Sequence, residues 1–256
     1  MINQLLHRQP VPVDRAQHRQ TRLQIPVKDW GVSSRLNSLF VAASEFGDAC
    51  REFPVVFIRA GTAEDGSQQI APIAVLGLTQ EDNLYLDGPK WRARYLPALL
   101  RIYPFCIARL DDERFAICID GAWNGVSTTE GEPLFNDDGE PAPLMTQVQQ
   151  DLEVIEAEVQ RTRLVGQRLL ELDLLRDMRF DATLPGGANH SVDGFLTVDE
   201  AKLKALPDAT LAEMHRQGLL GLIHAHWISL GNMGRLLEWH IERHAVVPPG
   251  AANTAV

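Results

Sequence analysis

Between Arg22 and Asp120 the apolar residues fall in short runs bounded by Gly, Pro, Asn or Asp, and the runs are rich in β-branched and aromatic side chains. That pattern predicts strands at Leu23–Val27, Leu39–Ala42, Val55–Ala60, Ile70–Leu78, Leu84–Asp87, Phe105–Leu110 and Phe115–Asp120. Two short helices interrupt them: Glu45–Glu52, with Ser44 as its cap, and Tyr95–Ile102 after Trp91. Connections such as that from Ile70–Leu78 to Leu84–Asp87 are only a few residues long, so the sheet should be mainly antiparallel. Around Asp111-Asp112-Glu113, a register symmetric about Asp112 sets Cys106 opposite Cys118 and Ala108 opposite Ala116. Those four make a shallow face on which a helix could lie closely.

From Leu144 the period changes. Val148, Leu152, Ile155, Val159 and Thr162 recur at three- and four-residue steps, and the stripe continues through Leu169 to about Leu175. It predicts one long amphipathic helix in which Gly166 could allow a small break. A second copy could pair with it as a short coiled coil, giving a homodimer. Packing on its own sheet is favoured, because the stripe does not keep clean heptads. Met178–Leu184 and Ser191–Val198 read as a hairpin closed by Pro185 to Asn189. Asp199-Glu200 and Pro207-Asp208 open further helices, and Leu219–Gly234 forms a last core helix in which Gly218, Gly221, Ala225 and Ser229 suit close helix approach. The expectation is an α+β fold, with a mainly antiparallel sheet in the N-terminal half and the long helix and C-terminal helices packed on it. Residues 1–21 read as an extended arm, 22–246 as a single domain and 247–256 as a flexible tail.

Composition narrows this picture. A chain of 256 residues that is 45% hydrophobic can bury a sizeable core. A net charge of -10 argues against tracking of nucleic-acid phosphates or anionic lipid. The first residues lack a signal-peptide core, so a cytoplasmic protein is expected. No transmembrane segment is expected either, since Leu219–Gly234 falls short of the ~20 apolar residues that a span needs. Cys50, Cys106 and Cys118 make neither a metal-ligand spacing nor a disulfide framework. The acidic turn Asn136 to Glu140 is not a calcium loop, because glycine at position six of such a loop would put Leu134 at position one. Glycine-rich dinucleotide and phosphate loops and the serine-nucleophile elbow are all absent from the sequence.

Short segments spread over nearly the whole chain carry a family resemblance. They are Asp14-Arg15-x-x-His18, Glu45-Phe46, Pro54-Val55-Val56-Phe57, Leu76-Gly77-Leu78, Tyr95-x-Pro97, Tyr103-Pro104-Phe105, Cys118-Ile119-Asp120, Glu132-Pro133-Leu134-Phe135, Gly139-Glu140-Pro141 and Ala225-His226-x-x-Ser229-Leu230-Gly231-Asn232. In this order and spacing they resemble the SapC family, named from a bacterial surface-layer locus. Members look to be encoded near flavin-dependent tryptophan halogenases, cupin-like oxygenases and TonB-dependent receptors. The resemblance therefore implies a protein partner of that kind, and no reaction comes with it. The chain departs from the family pattern at Ile102, where members often carry a second arginine, so no role is carried over for that arginine.

Candidate chemistry centres on Leu219–Gly234, which holds two histidines, a serine and an asparagine and no charged residue. His226 shares a helical face with Leu222, Ile223, Ser229 and Met233, and is either a satisfied core histidine or a ligand or general base. His224 lies about 200° away around the helix, so the two do not easily share one metal ion. His240 and His244, one turn apart, could chelate a metal, but Glu242 is not adjacent to the first histidine as His-Glu-x-x-His requires, and a solvated helix face is the alternative. Glu45, Asp120 and Asp193 could supply carboxylates, or could be caps and turn residues. Two functions stay open. One is a non-enzymatic accessory or interaction protein with no cofactor. The other is a metal- or histidine-dependent enzyme with His226, His18 and Asp120 as catalytic candidates, helped by Asp14, and with Ser229 and Asn232 as cofactor-binding candidates. The first is favoured, since no recognisable catalytic constellation appears.

Overall fold

The structure, a computed structural model, describes residues 2–63, 66–109, 115–183 and 189–244. In chain order its elements are β1 (Pro10–Pro12), β2 (Arg22–Leu23), β3 (Ser38–Phe40), α1 (Phe46–Ala49), β4 (Val55–Thr62), β5 (Gln68–Val75), β6 (Leu86–Asp87), β7 (Lys90–Trp91), α2 (Ala98–Arg101), β8 (Phe105–Arg109) and β9 (Phe115–Asp120). They continue with β10 (Val126–Ser127), β11 (Glu132–Pro133), α3 (Pro143–Glu171), β12 (Leu175–Thr183), β13 (Asn189–Val198), α4 (Glu200–Lys204), α5 (Asp208–Arg216), α6 (Leu219–Ser229) and α7 (Asn232–His244). Short 3-10 turns at Trp30–Ser33 and Ala43–Glu45 join them.

Pairing is antiparallel throughout the described strands, and the fold is α+β, as the apolar pattern predicts. The main sheet has the order β12-β13-β4-β5-β3, β1-β9-β8 and β10-β2-β11 form two smaller sheets, and β6-β7 pair alone. The β-rich half is thus divided among several sheets, and the main sheet is completed by the hairpin that follows α3. A run of alternating residues specifies a strand but not its partner. The hairpin register is the expected one, with Cys106 opposite Cys118 and Ala108 opposite Ala116.

Local chemistry accounts for the remaining differences. Leu23–Val27 shortens to β2, since Ile25 N–H turns back onto Leu23 and Pro26 has no N–H to donate. Ser44 does not cap a helix. The turn begins at Ala43, and the Glu45 carboxylate reaches back to accept the Ala42 N–H at 2.8 Å. Only Ala98–Arg101 of the Tyr95–Ile102 segment is helical, opening after Pro97. Gly166 does not break α3. A Cβ there would lie 2.5 Å from the Ile70 carbonyl oxygen, so the glycine lets helix and sheet approach closely. Leu219–Gly234 is not one helix, because it divides between Ser229 and Asn232. Gly221 faces open space rather than a neighbouring helix. His240 is buried, not part of a solvated face. The Asp111 turn, the Pro185–Ala188 closure and residues 247–256 lie outside the described residues.

One apolar cluster runs from Leu6 to Leu236, with α3 packed on β5 and α6 packed on β4, β13 and α1. No helix among the described residues is long and apolar enough to cross a membrane.

Candidate functional site

The inward face of α6 crosses the start of β4 and the end of β13, and His226 lies at that crossing, fully buried. Its Nδ1 is 2.7 Å from the Val55 carbonyl, so Nδ1 carries the proton and donates it there. Nε2 then accepts from the Thr197 hydroxyl at 2.9 Å and the Val198 N–H at 3.3 Å. Burial pushes its pKa down to about 4, partly offset by the bond to Val55, and the ring is neutral at pH 7. One turn on, Ser229 Oγ accepts the Val55 N–H at 2.9 Å and donates to the His226 carbonyl. Asn232 completes the set, its amide donating to the carbonyls of Cys50 at 2.9 Å and Phe53 at 3.1 Å. With both ring nitrogens committed, the imidazole ties α6 to two strands, has no lone pair left over for a ligand and takes up no second proton near neutral pH.

The other candidates belong to separate hydrogen-bond sets. His18 sits in a turn of the arm, where Nδ1 accepts the Asp14 N–H at 3.0 Å and neighbouring Arg15 bonds Glu140. Asp120 is buried; it accepts the Gln9 N–H at 2.9 Å and the Tyr103 hydroxyl at 2.8 Å. His240 and His244 lie near Asp82, in a third place. The hydrogen bonds of His18 and Asp120 given above involve none of the partners of His226.

A broad concavity lies elsewhere. A cleft of about 840 Å³ opens between the Ile25–Trp30 segment, the Leu96–Phe105 segment and the first half of α3. Ile25, Val27, Trp30, Leu96, Ile102, Leu144 and Val148 supply its apolar wall, and Arg101, Glu132, Gln147 and Asp151 are its exposed polar residues. Two buried or half-buried carboxylates shape one side. Glu45 accepts the Tyr95 hydroxyl and the Ala98 N–H, each at 2.7 Å, and Glu52 accepts the N–H groups of Arg94 at 2.8 Å and Tyr95 at 3.2 Å. A smaller cavity of about 330 Å³, lined by His7, Leu39, Ile70 and Thr162 among others, shares Ile102 with the cleft.

The matched positions now have places in the fold, and the SapC family model spans residues 13–236. The chain belongs to the SapC family. No curated protein and no solved structure matches it. In this SapC chain the polar residues of the matched segments mostly hold the backbone. Glu45 fixes the turn before α1 and the start of α2, and Asp120 ties the arm to Tyr103. Ser229 ties α6 to the start of β4, and Asn232 ties α7 to the segment between α1 and β4. Leu76-Gly77-Leu78 lets the next turn come close, since a Cβ on Gly77 would lie 1.7 Å from the Asp82 carbonyl oxygen.

Sequence reasoning passed over His7, Trp30 and Asp82. His7 is buried and stacks on Tyr103, with ring centroids 5.9 Å apart, and burial pushes its pKa below the usual value against the raising effect of Asp120. The apolar pair Leu5-Leu6 before it was the available signal. Trp30 stood in an unpatterned loop, and Asp82 in a polar turn with nothing to mark it.

Proposed function

We propose that this SapC-family chain is a non-enzymatic accessory protein that binds a partner protein through the cleft between Ile25–Trp30, Leu96–Phe105 and α3. The occupant is an apolar segment of the partner. A single observation carries this reading: the wall is apolar and the charges stand at its exposed edge. Arg101, Glu132, Gln147 and Asp151 are exposed, and the one buried polar side chain lining the cleft, Tyr103, has its hydroxyl committed to Asp120. An apolar centre with a polar rim is the anatomy of a protein interface, whereas a metabolite site needs polar groups converging on its ligand. The spent nitrogens of His226 add support, since they remove the side chain on which an enzymatic reading leaned. The SapC resemblance points to a halogenase, an oxygenase or an envelope-transport component as the source of the segment.

The test is peptide-display selection on the full chain, followed by measurement of the selected peptides against two wall variants. Ile102→Arg and Leu144→Asp should each raise Kd at least tenfold, equivalent to about 1.4 kcal/mol. Ile228→Asp, at an apolar residue exposed on α6, should leave it unchanged. Failure to enrich any peptide, or equal binding by both wall variants, refutes the cleft as the docking surface.

A further inference from the structure

The end of α7 meets the turn after β5 in a constellation that the proposed partner binding does not use. Asp82, His240 and His244 each offer one ligand atom, and these atoms all lie within 4.8 Å of one another. Asp82 Oδ2 is 3.9 Å from His244 Nε2, and the rings of His240 and His244 are 4.3 Å apart. We propose that Asp82, His240 and His244 bind one divalent transition-metal ion of the zinc type.

Each ligand is oriented by something else. Arg243 donates to Asp82 Oδ1 at 2.7 Å and to the carbonyls of Asn83 at 2.8 Å and Leu86 at 2.7 Å, which turns the second carboxylate oxygen toward the histidines. That oxygen, Oδ2, is buried and has no hydrogen-bond partner. His244 Nδ1 lies 2.9 Å from the His240 carbonyl, so it carries the proton, and Nε2, the nitrogen facing Asp82, keeps its lone pair. His240 is 5% exposed and held in the core, while the His244 side chain is 49% exposed and meets less steric resistance to a small shift. Ligand distances of about 2.0–2.2 Å to an ion need separations somewhat below those seen, a movement within reach of the exposed His244 side chain. Two imidazoles and one carboxylate suit zinc, cobalt or nickel, whereas magnesium and calcium prefer all-oxygen sets. Three protein ligands leave a fourth position on the solvent side of His244 for water. The turn that presents Asp82 is itself anchored: the buried Asn83 amide donates to the Ser33 carbonyl at 3.0 Å, and Asn83 N–H donates to the Ser34 carbonyl at 3.1 Å.

The test uses tag-free full-length protein stripped with a chelator and titrated with Zn²⁺ by calorimetry and with Co²⁺ by visible absorption. Wild type should take up one equivalent, with cobalt bands of a four- or five-coordinate nitrogen–oxygen site. His244→Ala and Asp82→Asn should each weaken uptake at least tenfold, and His224→Ala, an exposed imidazole on α6, should not. Circular dichroism of the metal-free variants checks their fold. Should Asp82→Asn lose structure with its Arg243 bond, the half-exposed His244→Ala still decides the matter. No saturable uptake by wild type, or uptake that survives His244→Ala, overturns the site. Peptide binding in the cleft is read on the same variants and should be unaffected, so the two proposals stand or fall separately.

Discussion

The imidazole of His226 sets a pH dependence that can be worked out in sign. In the unfolded chain it titrates near 6.5, and in the fold near 4, because burial opposes the charged form. Between those values the unfolded chain binds more protons, so stability rises with pH. The contribution is fully present above about pH 6.5, falls away as the solution is acidified, and is lost below pH 4. The gap corresponds to roughly 3 kcal/mol. Urea unfolding of wild type should therefore show a falling midpoint from pH 7 to pH 4. His226→Gln should be less stable at pH 7, by ~2–4 kcal/mol for the buried partners left unmatched, and its profile should be flatter. An unchanged slope in the variant would rule out His226 as the source. The burial of this residue was legible in the helical face it shares with Ile223 and Ser229, although Leu222, read on the same face, is only half-buried and Met233 lies on the next helix. Its partners were not, since the Val55 carbonyl lies 171 positions away in sequence and no local pattern joins the two.

At the level of elements, α3 shows how tertiary contact overrides local propensity. Glycine inside a helix costs about 1 kcal/mol relative to alanine, which is why Gly166 reads as a break. Yet the helix is continuous from Pro143 to Glu171 and presses that glycine onto β5. Gly166→Ala should lower the melting temperature, because forcing a methyl to 2.5 Å from the Ile70 carbonyl oxygen outweighs the propensity gain, overpacking typically costing about 1–3 kcal/mol. Gly221→Ala is the paired measurement. With nothing beyond its own helix backbone and chain neighbours within 4 Å of the added methyl, it should keep or raise the melting temperature. If both substitutions move stability the same way, the close approach is not what selects glycine at 166. The Cys106–Cys118 register was legible because a short hairpin fixes its own pairing, and α3 because its stripe is long. The cleft was not legible, since its walls come from three stretches whose proximity arises only when the sheets assemble.

On the scale of the whole molecule, the arm and the main sheet show what apolar patterning omits. Residues before the family match are part of the core: Leu6 is 1% exposed, and β1 pairs with β9 so that Pro10 faces Asp120. The main sheet joins two stretches that are each well paired internally. β12 and β13 pair along nearly their full length, as do β4 and β5. Between β13 and β4, among the described residues, the register holds one partner pair, Leu196 with Phe57. Side chains add to the joint: Arg59 of β4 donates to Asp177 of β12 at 2.8 Å, and from α6 His226 bonds to Val55, Thr197 and Val198 while the Trp227 indole donates to the Val198 carbonyl at 2.9 Å. Hydrogen–deuterium exchange should then divide the sheet. Amides of Leu175–Thr183 and Ser191–Val198 should lose protection together in His226→Gln, while those of Val55–Ile58 and Ile70–Val75 keep theirs. Simultaneous loss in both groups would show one cooperative unit. A sheet joined in this way should open along a line inside it, so that exchange begins where a strand diagram draws its most interior boundary.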